Sequence, residues 1–259
     1  MKFNNRIILA IISSLFLMTS CQNLTEEITI ELDGSGKYQL YSDAIASMTT
    51  MMVTMDSMMA TPDSTGKIVR QSEAEIAKRV WRDFPESIDS TFDIMENVPD
   101  SIRNNPEQMA MLEKTRVYMT GEKSKGYMNM GLSYNYDDLK ELNIFNGFLT
   151  DMLKESDNGS PLSGLEEPEM TSDYIYTDKG FKRIFKVQKK VSFDEKEEVM
   201  LQMFIGQGTL RTVLYLPKEA KDVKGKYLKS VKGKTVIFEY PMQKYMRGDI
   251  DCSFEVIFK

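Results

Sequence analysis

Short segments in which apolar and polar residues alternate stand near both ends of the chain. Residues 27–32 and 37–42 show this alternation around Asp33-Gly34-Ser35-Gly36. β-Branched and aromatic residues favour strands, and the glycines permit the positive φ angles of a tight turn. The pattern therefore predicts a β-hairpin near the N-terminus.

Helical periodicity follows this hairpin. Between residues 43 and 60, methionines recur at the three- and four-residue spacing of one helix face, at Met48, Met51, Met52, Met55 and Met59. A second helix is predicted over residues 72–84, because Ser72 and Glu75 have capping-box spacing and Pro85 ends the segment. The same reasoning predicts a strand at 88–94, helices at 106–114 and 136–154, and a hairpin from 115–120 and 127–134.

From residue 172 onward the pattern is almost entirely that of strands. The predicted strands are 172–177, 181–189, 198–204, 209–216, 235–240 and 250–258. Glycine-containing turns at 178–180 and 206–208 join them in pairs, and such hairpins imply antiparallel pairing. The sequence thus predicts an α+β fold, an antiparallel sheet built from hairpins with helices packed on one face.

A composition change predicts the domain organisation. Residues 155–171, which include Asn158-Gly159-Ser160-Pro161, have the composition of a linker or long loop. They separate an N-terminal α+β region, 21–154, from a C-terminal β-rich region, 172–259. We expect the second region to complete the same domain as the first.

Residues 1–20 have the pattern of a lipoprotein signal peptide. Two cations, Lys2 and Arg6, precede an apolar run that, at about twelve residues, is too short to span roughly 30 Å of hydrocarbon. The run ends in Leu17-Met18-Thr19-Ser20-Cys21, which resembles the lipobox of bacterial prolipoproteins, although its methionine stands where an aliphatic residue is usual. The resemblance implies cleavage before Cys21 and lipidation of its thiol, with palmitate-type chains as the membrane anchor. The alternative is an ordinary cysteine after a cleaved signal or an uncleaved anchor.

The residue after the lipobox bears on the destination. Gln22 stands where an aspartate would retain a lipoprotein at the inner membrane of some Gram-negative bacteria. We therefore expect an outer-membrane protein, lipid-anchored and facing the periplasm or the cell surface.

Charge and cysteine content narrow the function classes. Removal of the signal peptide takes two cations from 33, which leaves 31 bases against 39 acids and a formal charge of −8. Such a surface argues against nucleic acid as a partner. Once Cys21 is lipidated, Cys252 has no intramolecular disulfide partner. Its alternation with Phe254 and Val256 predicts a buried, inert thiol.

Both ends of the chain resemble one family of envelope proteins. Residues 28–38, Ile-Thr-Ile-Glu-Leu-Asp-Gly-Ser-Gly-Lys-Tyr, and the closing segment from Gly233 to Phe258 are similar to the ends of LppM-type lipoprotein domains and related small envelope lipoproteins. The match rests on strand and turn motifs. It implies an envelope protein without established catalytic residues, so no site residue is carried over.

The sequence contains no histidine, which removes the commonest catalytic chemistries. Ser-His-Asp and Cys-His nucleophiles need that residue, and it is the commonest transition-metal ligand. Gly233-Lys234-Thr235 lacks the glycine that a phosphate loop requires at position 228. Ser64-Thr65-Gly66-Lys67 lacks the accompanying Lys-Thr-Gly strand of penicillin-recognising enzymes. We predict no catalytic residue, no metal and no cofactor.

These exclusions favour a non-enzymatic binding or assembly module of unknown ligand. Its expected partners are the membrane, through the N-terminal lipid, and an envelope protein, lipid or glycan. The alternative is a histidine-free carboxylate hydrolase acting on envelope polysaccharide, because 39 acids offer many pairs.

Two segments keep further alternatives open. The methionine face of residues 43–60 could bind Cu(I) or line a groove for lipid or peptide, although a flexible apolar core face is the expected arrangement. Residues 218–234 carry seven lysines and two acids. They could meet lipid phosphates or an acidic partner, whereas solvated turns and protection of a sheet edge are the expected roles.

Four tripeptides resemble the acceptor of an envelope O-glycosylation system of one Gram-negative phylum. Each has Asp, then Ser or Thr, then an apolar residue or Thr, and the candidate acceptors are Ser57, Ser64, Ser90 and Ser101. A glycosylated hydroxyl must be exposed. We predict exposure for all except Ser90, which lies inside a predicted strand.

Overall fold

The computed structural model of the chain describes residues 23–59, 71–95, 98, 100–156, 166, 168–206 and 208–259, with some helical positions described by their backbone alone. The fold is α+β. The strands are β1 Asn23–Ile30, β2 Gly36–Asp43, β3 Ser87–Phe92, β4 Thr115–Glu122, β5 Tyr127–Tyr136, β6 Glu169–Thr177, β7 Gly180–Lys189, β8 Thr209–Tyr215, β9 Ala220–Gly225, β10 Leu228–Lys232, β11 Thr235–Pro241 and β12 Phe254–Phe258. The helices are α1 Ala44–Met59, α2 Glu73–Asp83, α3 Asp100–Arg103, α4 Pro106–Lys114, α5 Leu139–Ser156, α6 Glu195–Ile205 and α7 Met242–Met246.

The described strands form two sheets. The larger has the order β10-β11-β8-β1-β2-β5-β4-β3, and the smaller has the order β6-β7-β12-β9. The predicted hairpins β1–β2, β4–β5 and β6–β7 are confirmed as antiparallel pairs. The pairing of β1 with β8 is parallel, with Asn23 opposite Thr209, and it was not predicted. This pair joins the N-terminal hairpin to strands from the C-terminal region.

The prediction of a strand over residues 198–204 is wrong, because α6 occupies this segment. Asp194 caps the helix by accepting hydrogen bonds from the backbone amides of Lys196 and Glu197, and the Glu197 carboxylate accepts one from the Asp194 amide. Acids in the first turn also favour a helix, since they face the positive end of its dipole. This capping box outweighs the strand-like composition of the segment. The predicted capping box of Ser72 and Glu75 is confirmed at the start of α2.

The smaller sheet and the described helices share one side of the larger sheet, and the core lies between the two layers. Over β2 and β5, Phe145 of α5 stacks on Tyr134 with 3.8 Å between ring centroids. Over β11, Phe238 stacks on Phe254 of β12 at 4.8 Å. Helices on one face of a sheet were predicted, but the smaller sheet as part of the same layer was not.

A buried ion pair links the two sheets. Arg183 of β7 lies 2.9 Å from the carboxylate of Glu26 on β1, and both side chains are almost completely buried. Thr212 of β8 donates to the same carboxylate at 2.6 Å, and the Tyr174 phenol donates at 3.1 Å. Ser172 accepts from Arg183 Nε. The network satisfies both charges and fixes the smaller sheet against β1 and β8.

Helix α1 confirms the helix predicted over residues 43–60. Its methionines were expected to form a core face, and this is only partly the case. Met48 and Met52 are half-buried, whereas Ala44, Ser47 and Thr49 are buried. A guanidinium nitrogen of Arg79 on α2 contacts the Met52 sulfur at 3.9 Å. This part of the methionine face therefore lies against α2 rather than in the core. The side chains at positions 51, 55 and 59 lie outside the described set.

Candidate functional site

One face of the larger sheet carries no other described element. Ile28 and Ile30 of β1 point into the core, so their neighbours Thr25, Glu27 and Thr29 point to the opposite side. The described helices and the smaller sheet pack on the core side. We call the opposite side the open face. Its central residues are Thr25, Glu27, Lys37, Gln39, Tyr41, Arg116, Tyr118, Gly131, Ser133, Arg211, Val213 and Tyr215.

On the open face, Tyr118 extends flat across a neighbouring strand. Tyr118 of β4 lies opposite Gly131 of β5, and Gln39 of β2 lies opposite Ser133 of the same β5. The Gln39 amide nonetheless donates a hydrogen bond to the Tyr118 phenol oxygen at 3.2 Å. The tyrosine must therefore cross over β5. Gly131 and Ser133 are buried although both point to the open face, as expected if the ring covers them.

Gly131 is required by the close approach of β5 to β2. A Cβ atom at this position would stand 2.4 Å from the Leu40 carbonyl oxygen and 2.5 Å from the Cβ of Tyr41. Both separations are too short for real contacts, so a side chain would push the strands apart. The glycine therefore keeps the surface between Tyr41 and Tyr118 flat.

A second tyrosine pair meets at one carboxylate. The Tyr41 phenol donates to Glu27 Oε1 at 2.7 Å, and Tyr215 of β8 approaches the same residue from the other side. Burial, followed by the interaction with Glu27, raises the pKa of both Tyr41 and Tyr215, and burial also raises the pKa of Tyr118. All three phenols therefore stay protonated at neutral pH, and each keeps a proton that it can donate.

Charges of both signs surround these rings. Lys37, Arg116 and Arg211 are exposed around the acceptor Glu27, and Glu239 forms an ion pair with Lys229 at 3.0 Å. Glu239 also lies opposite Arg211, so acidic and basic side chains stand side by side on this part of the open face. The surface offers hydrogen-bond donors and acceptors together, which suits a polar ligand without a large net charge.

The lysine-rich segment 218–234 lies at the edges of both sheets. Strand β9 is the last strand of the smaller sheet and β10 is the last strand of the larger one. Lys224 and Lys229 form ion pairs with acids on adjacent strands, at 3.4 and 3.0 Å. Lys226, in the turn between β9 and β10, pairs with Asp251 ahead of β12 at 3.6 Å. These positions support the expected role in protecting the sheet edges.

Hydrogen bonds and neighbouring cations act on several described carboxyl groups. Each described carboxyl group with a shifted pKa is shifted downward. Glu141 is one example: burial opposes its charge, but hydrogen bonds from the Asp137 amide, Lys114 and Tyr134 lower its pKa. Among the described residues no group of three or more Cys, Asp or Glu side chains could hold a metal ion.

The predicted inertness of Cys252 is supported by its position. The side chain is fully buried, and burial raises the pKa of its thiol to about 12. A thiol with this pKa is almost entirely protonated at neutral pH and is a poor nucleophile.

The predicted modification sites fall mostly outside the described residues. Cys21 and Ser64 belong to undescribed segments, and Ser57 and Ser101 are described by their backbone alone, in α1 and α3. Ser90 is half-buried in β3 and lies opposite Met119 on the core side of the sheet. Exposure of Ser57, Ser64 and Ser101 stays a prediction.

The open face was missed because sequence reasoning followed the apolar positions alone. In β2, β4 and β8, Tyr41, Tyr118 and Tyr215 occupy the alternate positions that would be polar on an ordinary solvated face. Three tyrosines at outward positions of strands are the signal that could have indicated this surface.

Comparisons with known proteins yield no relative. No family model, no curated protein and no solved structure matches the chain. No helix in the described part of the chain has the length and apolar character needed to cross a membrane.

Proposed function

We propose that the protein is a lipid-anchored envelope lipoprotein of the outer membrane, and that it is a non-enzymatic module that binds its ligand on the open face. The observation that carries the binding role is the set of three tyrosines, Tyr41, Tyr118 and Tyr215, on a sheet face that no other described element covers. Tyr41 and Tyr215 both interact with Glu27, and Tyr118 is hydrogen-bonded to Gln39. Side chains fixed before a ligand arrives lose little conformational entropy on binding.

The composition of the open face supports binding over a merely solvated surface. Solvated strands mainly present short polar or charged side chains. Here Tyr41 and Tyr118 are half-buried without contacting the apolar core, and Tyr215 is 40% exposed. Aromatic rings with a polar end are enriched where proteins bind partners. Exposing the apolar area of these rings to water is unfavourable, and a ligand that covers the rings would explain why they are there.

The position of β1 fits a lipid anchor at Cys21. Strand β1 begins at Asn23, two residues after the predicted lipidation site, so roughly 7 Å of extended chain separates the lipid from the sheet. Such an anchor would hold the end of the larger sheet at which β1 begins close to the membrane surface.

The anchor is tested by substitution of the predicted lipidation site. We expect Cys21→Ser to abolish acylation and to move the protein from the detergent phase to the aqueous phase of a detergent partition, because the lipid supplies the membrane affinity. The measurement is incorporation of radiolabelled acyl chains together with this partition.

Cys252→Ala is the matched control, because it removes the other cysteine of the sequence and leaves the lipobox intact. This variant should stay acylated and anchored. Acylation of the Cys21→Ser protein, with continued detergent-phase partition, would refute the anchor.

A further inference from the structure

Tyr41 and Tyr118 are partly exposed on the open face. Tyr118 crosses β5 to reach Gln39, and Tyr41 leans over β1 to reach Glu27, so both side chains run along the sheet. A ring in this orientation exposes one electron-rich face. Such a face attracts the slightly positive C–H groups of a sugar ring, the geometry in which proteins stack on carbohydrates.

Hydrogen-bonding groups stand beside these ring faces. The Tyr118 phenol oxygen accepts from Gln39, which leaves its own proton to donate to a ligand. Glu27 accepts from Tyr41 through one carboxylate oxygen, and Arg211 is exposed on β8. Sugar hydroxyls both donate and accept hydrogen bonds, so a mixed set of donors and acceptors complements them.

The spacing of the rings also suits a repeating ligand. Tyr41 and Tyr118 belong to one row across the sheet, with Gly131 between them. The strands that carry them are two strand spacings apart, about 9.6 Å. This separation resembles the disaccharide repeat of an extended β-linked glycan, in which every second sugar turns the same face to one side.

Other ligand classes fit the open face less well. A charged ligand favours a surface of one sign, whereas the cations Lys37, Arg116 and Arg211 share the open face with the acids Glu27, Asp89 and Glu239. A stable protein interface has an apolar centre. The large exposed aliphatic side chains of the described residues lie elsewhere, at Leu32, Ile144, Ile175, Val199, Leu228 and Val231.

From this geometry we infer that the open face binds an uncharged, extended, β-linked glycan, which lies across the strands on the rings of Tyr41 and Tyr118. The inference rests on the proposed function, since it names the ligand class of the same surface. Gly131 keeps the path between the two rings level, and Gln39 and Glu27 hold the rings in place.

Calorimetric titration of the purified full chain tests this inference. The probes are a soluble chitin hexamer and a cellulose hexamer. A dextran of similar size is the control, because it is not β-linked and should not stack on the tyrosine rings. We expect binding to at least one β-linked hexamer and none to dextran. Tyr118→Ala should weaken that binding at least about tenfold, the loss typical of a central aromatic contact. Tyr41→Ala combined with Tyr118→Ala should abolish it.

Control variants separate stacking from folding. Tyr118→Phe keeps the ring and should bind more tightly than Tyr118→Ala, while Ile175→Ala, an exposed position on β6, should bind like the unmodified protein. The urea midpoint of each variant shows that the fold is intact. Absence of binding to both β-linked hexamers overturns the inference, and so does binding that survives the double tyrosine substitution.

The two proposals can fail separately. If neither hexamer binds while a photo-crosslinker at position 116, the exposed outward position next to Tyr118 on β4, still captures a ligand in the native envelope, the glycan inference is wrong and the binding role of the open face stands. If position 116 also captures nothing, the binding role fails as well.

Discussion

Replacement of Arg183 by methionine is expected to destabilise the protein by about 3–5 kcal/mol, because the substitution leaves the Glu26 carboxylate buried without its countercharge. Thr212 and Tyr174 still donate hydrogen bonds to that carboxylate, but they carry no charge. Urea unfolding followed by circular dichroism gives the free energy of unfolding for the variant and the unmodified protein.

The control for this prediction removes both charges. In the combined Glu26→Leu and Arg183→Met variant we expect most of the lost stability to return, since no unpaired charge is left in the core. Lys224→Met breaks the exposed ion pair with Glu255 and should cost less than about 1 kcal/mol. An Arg183→Met cost as small as that of Lys224→Met would show that the buried pair does not hold the two sheets together.

Truncation of Phe145 to alanine is the second large effect, with an expected loss of about 3–5 kcal/mol. Phe145 is fully buried, stacks on Tyr134 at 3.8 Å and meets the edge of Tyr38 at 6.0 Å between ring centroids. The change opens a cavity between α5 and the larger sheet. The same urea measurement reports the loss.

Ile144 supplies the matched position for this test. It precedes Phe145 on α5 but is 57% exposed, so Ile144→Ala should change stability by about 0.5 kcal/mol or less. Equal losses at the two positions would contradict the packing of α5 on β2 and β5.

Local signals in the sequence account for most elements of the fold. The first hairpin follows from alternation around a glycine turn, and Gly34 does adopt a positive φ of 88°. Helix α4 is confirmed at residues 106–114 as predicted, with Asn105 as its cap and Pro106 in its first turn. Each of these elements depends on residues within a few positions of one another.

The missed features depend on contacts between distant parts of the chain. The parallel pairing of β1 with β8 joins residues almost two hundred positions apart, and no turn indicates it. The buried ion pair did leave a local trace. Glu26 alternates with Ile28 and Ile30, and Arg183 alternates with Phe181 and Phe185, so opposite charges stand on two apolar faces. Only the packing of the two sheets shows that they meet.

The candidate site was harder to predict than the fold. Alternation assigns Tyr41 and Tyr118 to an outward face, but it does not show that β2, β5 and β4 are adjacent or that Gln39 and Tyr118 bond across β5. Nor does a sequence show which sheet face the helices leave uncovered. The lipidation prediction at Cys21, in contrast, needs only a local motif.

Photo-crosslinking in the native envelope tests the central claim, that the open face binds a ligand, most directly. A photoreactive residue is placed at position 116, where Arg116 is exposed on the open face beside Tyr118, or at position 182, where Lys182 is exposed on the outer side of the smaller sheet. After irradiation of intact cells, the mass of each purified protein is measured. Our account predicts an adduct at position 116 and none at position 182. Unmodified protein at position 116, or equal adducts at both positions, would contradict it.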